Sequence, residues 1–483
     1  MPSPTAAPVP AIEALAALWQ AAGLAPQALG WVDLEGQEPV LRSSFAVGTA
    51  AQASLAAAAL AAVAIGHRRH GARQRVTVAM RHAALECRGW FSLNGRVPEA
   101  WDKLSGLYSC GGAIGAAGWV RIHANFAHHR DGALQLLGCA AGPATERADV
   151  AAALRTWHAE DFEAAAAHVG LVVAAARDFA AWDAHPQARA LAAVPTVSIA
   201  PIHGASDAPV AAPIGWPAEA RDASPLQGLR VLDLTRILAG PVAGRTLAAY
   251  GAEAMLLNSP SLPNIESIAD TSRGKLSGFV DLKTEAGRTT LRSLIGQAHV
   301  FMQGYRPGAL AALGFGPADL ARLRPGIVYV SLSAYGPAGP WSQRRGFDSL
   351  VQTATGFNLA EAAAFGASQP QAMPLQILDY AAGYLMAFGA QAALLRQSQQ
   401  GGSWHVQVSL AGVGHWLRTL GRVGEGQARA APAPDNDEFL ERYAGGFGDV
   451  VALRHAARFS ATPARWRRPA MPPGSHPAVW PAS

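Results

Sequence analysis

The chain has 483 residues, half of them hydrophobic and 15% charged, which excludes a disordered protein and suffices for two or three buried cores. Its formal net charge of +5 is a mild excess that suits an anionic small ligand. No basic block interleaved with aromatics and no zinc-type spacing occurs, so nucleic acid is not an expected partner.

The opening "MPSPTAAPVP" lacks a basic stretch followed by an apolar core, so no signal peptide is expected. "SLAAAALAAVAIG" (54–66) reads as an alanine-rich buried helix, too short to span a bilayer, and no membrane association is expected. Cys87, Cys110 and Cys139 show no CxxC spacing, which favours a reducing, cytoplasmic setting without disulfides. "CGGAIGAAG" (110–118) reads as a turn between strands, and "GWVRIHANF" (118–126) as a strand. His123, His128 and His129 follow one another closely, but no cysteine or second carboxylate stands near them, so no metal site is expected. "RADVAAALRTWHAEDFEAAAAHVG" predicts two helices, and the stretch after it a strand, a helix and a strand. Residues 1–225 thus read as a mixed α+β segment that ends in a Pro-, Ala- and Gly-rich linker over 200–226.

"GLRVLDLTRILAGPVAGRTLAAYGAEAMLLN" is an apolar run, a Gly-Pro turn, a helix and a second apolar run. That is a strand–helix–strand unit, and "GFVDLKTEAGRTTLRSLIGQAHVFMQGY" repeats its rhythm. Residues 226–423 therefore predict an α/β domain with a Rossmann-like parallel sheet, whose strand ends are the default place for a nucleotide-bearing ligand. Residues 424–483 read as a polar linker and an extended, Pro-rich tail.

One carboxylate stands out in "PLQILDYAAGY". Asp379 opens a small-residue helix, where its side chain can cap the exposed backbone N–H groups or serve as a nucleophile kept charged by the helix end. Ala381, Ala382 and Gly383 would leave space beside it for a bulky substrate. "SSFAVGTAAQASLAAAALAAVAIGHRRHGARQRVTVAM" in the first half echoes this region, and an alignment on its turn sets Gly48 opposite Asp379. Basic residues gather on the predicted loops: Arg236, Arg273, Lys275, Lys283, Arg306, Arg344 and Arg345. They fit a solvated face or a phosphate site.

In order, "GLRVLDLTRILAGPVAGRTLAAYGAE", "SRGKLSGFVDLKTEAGR", "GYRPGALAALGFGPADLARLRPGIVYVSLSAYGPAGPW", "RRGFDSLVQTATG" and "LQILDYAAGYLMAFGAQAALL" resemble the family III CoA-transferases. That family also includes carnitine CoA-transferase-like proteins and α-methylacyl-CoA racemases. The first half resembles the family's C-terminal region, so the halves are permuted and partly duplicated. The resemblance implies that Asp379 is the nucleophile of a CoA-transferase acting on an acyl-CoA and a carboxylic acid acceptor. It passes through an aspartyl anhydride and an aspartyl-CoA thioester, and no metal is required. Coenzyme A contacts are implied at or beside Leu238, Ala239, Lys283, Tyr305, Arg306 and Arg345. Ser259 and Ala312 stand where relatives can carry arginines, and Arg273, Lys275 or Arg306 would have to substitute. The alternatives are an acyl-CoA racemase or isomerase, disfavoured by Phe347 at the position of a proton-carrying histidine, and an inactive CoA-binding paralogue. A homodimer is possible, since relatives interlock as dimers.

Overall fold

The computed structural model describes residues 7–71, 73–202, 216 and 223–481; most of the linker read at 200–226 lies outside them. Its centre is a sheet of seven strands: β1 (Ser198–Pro201), β2 (Arg230–Leu234), β3 (Glu253–Asn258), β4 (Lys275–Phe279), β5 (Val300–Gln303), β6 (Val328–Ser333) and β7 (Trp404–Ser409). They lie in the order β4-β3-β2-β5-β6-β7-β1. Every pairing is parallel except β7 with β1. Interiors such as Val231–Leu234 and Val300–Gln303 are buried throughout, as expected of parallel strands covered on both faces. Strand order reverses between β2 and β5, so a crevice opens at their carboxyl ends.

Two helices of 24 residues run through the core: α1 (Val47–His70) and, later in the chain, α4 (Ile377–Gln400). They pack against each other, with Gln391 Nε2 donating to the Ala58 carbonyl (3.0 Å). The run at 54–66 is thus the middle of a longer element. α1 is long and apolar enough to cross a membrane by length and composition, but it is enclosed by the fold. Gly71 and Gly401, both at positive φ, end the two helices.

The internal echo is structural. Beyond the helices, strand Val76–Ala79 corresponds to β7, and helix Met80–Glu86 to α5 (Leu410–Thr419). Strand Val32–Glu35 lies parallel to Val76–Ala79, as β6 lies beside β7. Ala457–Phe459 lies antiparallel on the other side, as β1 does on β7. The tail therefore contributes strands Leu440–Gly445, Gly448–Leu453 and Ala457–Phe459, and only its end is an extended strap. There the Trp480 indole N–H donates to the Leu294 carbonyl (3.0 Å) and the His476 N–H to Ser277 (2.8 Å). Both helices begin without a break in this correspondence, Val47 matching Ile377, so Thr49 and not Gly48 is the counterpart of Asp379.

α2 (Ala239–Ala249) crosses α4 at very short range. A Cβ on Gly383 would lie 2.5 Å from the Ala239 carbonyl oxygen and 2.9 Å from Val242. Ala381 and Ala382 are fully buried. The small residues after Asp379 admit a neighbouring helix, not a substrate as their size had suggested. Gly383→Val is expected to lower stability by about 1–3 kcal/mol through overpacking, read as a shift of the denaturant midpoint.

Candidate active site

At the carboxyl ends of β2, β5 and β6 lies a cavity of about 400 Å³. β2 runs into Arg236, Ile237 and Leu238; β5 into Gly304, Tyr305 and Arg306; β6 into Ala334. Ile237 turns the chain at φ 75°, an unusual conformation for a β-branched residue, immediately before α2 begins at Ala239. Arg344, Arg345 and Phe347 enter from the segment before α3 (Asp348–Ala354). Phe126, His128 and His129 close the cavity from the first half of the chain.

Asp379 is the one carboxylate among the described lining residues, and it is half-buried. It is the third residue of α4, not its cap; the cap position belongs to Gln376, whose side chain makes no capping bond. The helix end is served by another acid. Asp348, fully buried, accepts the Asp379 N–H on Oδ2 (2.9 Å) and the Gln352 amide on Oδ1, and the Leu378 N–H bonds to it as well. The first half repeats this device, with Glu38 Oε1 accepting the Thr49 N–H (2.7 Å). There the space is filled: a Cβ on Gly48 would lie 2.5 Å from Val40 and 3.0 Å from Met80.

Burial and the neighbouring Asp348 carboxylate raise the Asp379 carboxyl well above its usual range. Asp348 is also raised by burial, against the N–H groups of Asp379 and Leu378, the Gln352 amide and the charge of Arg121. The hydrogen bonds converge on Asp348 and favour its anion over that of Asp379. Burial and the like charge of Asp348 thus oppose ionisation of Asp379, contrary to the expectation from its position at a helix end.

Leu238, Ala239, Tyr305, Arg306 and Arg345 all line the cavity, together with Arg236 and Arg344. Arg273 and Lys275 do not. Arg273 is buried, paired with Asp270 and with Glu441 (2.7 Å), and lies 3.8 Å over the Trp466 ring. It borders a separate, larger cleft of about 940 Å³ that lacks Asp379. Lys275 is fully buried against Asp233 (2.8 Å) and the Pro241 carbonyl (2.8 Å). Lys283 is exposed beyond β4, outside the cavity lining, as are Ser259 and Ala312. Arg273 and Lys275 thus bind the fold together and cannot substitute for missing phosphate ligands.

Asp348 went unread in the sequence, although "GFD" ahead of a helix carries the same signal as "LDY". Of the three histidines at 123–129, His128 and His129 are cavity walls, a role their spacing does not announce. Phe347 is no proton carrier, but it stacks on His123 (4.0 Å between centroids, 12°), so imidazoles reach this site from a distant segment. Asp348→Asn keeps an acceptor for the Asp379 N–H and removes the like charge. It is expected to lower the Asp379 pKa and move the acid limb of the activity profile down by about one pH unit or more, measured as kcat/KM against pH.

Residues 226–438 match the family model described as CoA-transferase family III. The "Probable fatty acyl-CoA transferase Rv3272" of Mycobacterium tuberculosis is 35% identical over 232 residues, 44% of this chain and 58% of the relative. The succinate–glutarate CoA-transferase of Agrobacterium fabrum is 32% identical over 209 residues, 39% and 52% of the two chains. The acetyl-CoA:oxalate CoA-transferase of Acetobacter aceti is 29% identical over 232 residues, 44% and 58% of the two. A crystal structure of Rv3272 matches with a TM-score of 0.37 at 35% identity, covering 41% of this chain and 57% of that one. The chain thus spans a little over half the length of these relatives. Residues 226–438, the segment that carries Asp379 and most of the cavity, thus resemble CoA-transferase family III.

Proposed function

We propose that the protein is an acyl-CoA:carboxylate CoA-transferase with Asp379 as its covalent nucleophile. The observation that carries this reading is charge placement in the cavity. Asp379 is the single lining carboxylate, while Arg236, Arg306 and Arg345 have no carboxylate partner among the described residues. Unpaired guanidinium groups at the carboxyl ends of parallel strands suit the phosphates of coenzyme A. The resemblance of residues 226–438 to that family supports the same reading.

In the reaction, a carboxylate oxygen of Asp379 attacks the thioester carbonyl; the C–O bond forms, the C–S bond breaks and CoA thiolate leaves. The thiolate attacks the aspartyl carbonyl of the resulting anhydride, releasing the donor acid and leaving an aspartyl-CoA thioester. The acceptor carboxylate then attacks that carbonyl and expels the thiolate, giving a second anhydride. Attack of the thiolate on the acceptor's acyl carbon frees Asp379. No net proton is consumed. The N-terminal end of α4 and the cavity guanidiniums favour the anionic species along this path. Because Asp379 starts with a raised pKa, its reactive anion grows as pH rises, so the rate should increase from acid toward neutral pH.

A second reading, proton exchange at the α-carbon of an acyl-CoA, draws on His128 and His129 in the same cavity. Incubation with an acyl-CoA and hydroxylamine separates the readings. The transferase predicts a hydroxamate on Asp379 by mass spectrometry and CoA exchange among carboxylates, with Asp379→Asn losing about a thousandfold or more in kcat/KM. Deuterium entering the α-carbon without CoA exchange would establish the second reading. Absence of both would leave a CoA-binding protein without catalysis.

A further inference from the structure

Phe347 lines the cavity and directly precedes Asp348, whose carboxylate holds the Asp379 N–H. The Phe347 ring is fixed. His123 stacks on it at 4.0 Å and 12°, and Trp101 meets His123 edge-on (5.9 Å, 77°). Phe126 stands 6.2 Å from Phe347 at 30°, and His129 stands at the same distance at 67°. Phe126, His129 and Phe347 all line the cavity, so this end of it is a wall of rings.

Polar groups at this end are His128, His129 and the guanidinium of Arg345, two residues before Phe347. His129 is 5% exposed, and neither of its ring nitrogens has a partner among the described residues. A buried imidazole in that state leaves hydrogen-bonding capacity for something that enters the cavity. Burial and the charges of His128, Arg345 and Arg236 lower it to about 4, so it is neutral at ordinary pH. Arg121 balances Asp348 from behind the wall, and it does not line the cavity. Arg236 and Arg306 lie on the loops after β2 and β5, the end suited to phosphates. With the cavity guanidiniums given to the phosphates of coenzyme A, a second carboxylate on the acid would face the rings of Phe126, His129 and Phe347.

We propose that the acid exchanged at Asp379 is a monocarboxylate with an apolar, ring-sized body seated against Phe347 and Phe126, and that His129 gives it its hydrogen bond. This rests on the transferase reading and adds a substrate class to it. The aromatic wall supplies edge-to-face and offset contacts to a ring, and Arg345 beside it is given to coenzyme A in the transferase reading.

The test measures CoA transfer from acetyl-CoA to 3-phenylpropionate and to succinate, alongside hydroxylamine trapping at Asp379. Expected are a kcat/KM at least tenfold higher for 3-phenylpropionate and a fivefold or greater fall in that ratio for Phe126→Ala. His129→Ala should raise KM for the aryl acid severalfold, with partial recovery in His129→Gln. Trapping at Asp379 together with equal or faster use of succinate would overturn the substrate class while leaving the transferase reading intact. Should no trapping occur, the transferase reading fails, and equilibrium binding decides about the wall. Tighter binding of 3-phenylpropionate than of succinate, lost in Phe126→Ala, supports it; equal binding overturns it.

Discussion

A helix enclosed on every side can exist only if its neighbours come close, and α4 meets that condition with glycine and alanine. Gly383 admits the backbone of α2, and the alanine-rich surface of α1 fills the opposite side. Close packing of this kind leaves no freedom to slide along the axis. The first turn of α4 is therefore held at the mouth of the β2–β5 crevice, and Asp379 with it. The position of Asp379 follows from packing across the middle of the molecule, not from bonds made by its own side chain.

Charge is distributed with the same economy. Arg245 joins Glu86 (3.1 Å) from the first half to Asp270, Arg273 extends the link to Glu441, and His455 adds a contact to Glu86 (3.2 Å). These buried cations are matched by acids and belong to the framework. Arg236, Arg306 and Arg345, which have no carboxylate partner among the described residues, stand at the cavity. A buried, matched ion pair is costly to break and chemically silent, whereas an unmatched guanidinium at a rim keeps its capacity for an anion. Removing the Arg245 side chain would leave Asp270 to Arg273 and Glu86 to His455, each with one partner fewer.

The strands of the parallel sheet were readable because their apolar runs are local, and the helix holding Asp379 because its residues are contiguous. Arg273 and Lys275 were misread because the acids that neutralise them, Asp270 and Glu441 in one case and Asp233 in the other, cannot be matched to them by spacing. Asp348 escaped for a related reason: it caps a helix 31 residues away, so neither helix alone shows the pair. The strands at 440–459 carry few apolar residues on their outer faces and read as linker. Gly448–Leu453 and Ala457–Phe459 form because Phe91–Leu93 and Val76–Ala79 in the first half supply the edges they pair with, and Leu440–Gly445 pairs on Gly448–Leu453.

The pairing of α1 with α4 has one more consequence. Each helix is apolar around its whole circumference and is hidden chiefly by the other, together with the sheet and α2. A chain divided between residues 202 and 223 would leave each fragment with a long greasy rod facing water. The two halves are thus obliged to fold in one concerted transition, and the fragments would be expected to aggregate or to find each other again when mixed.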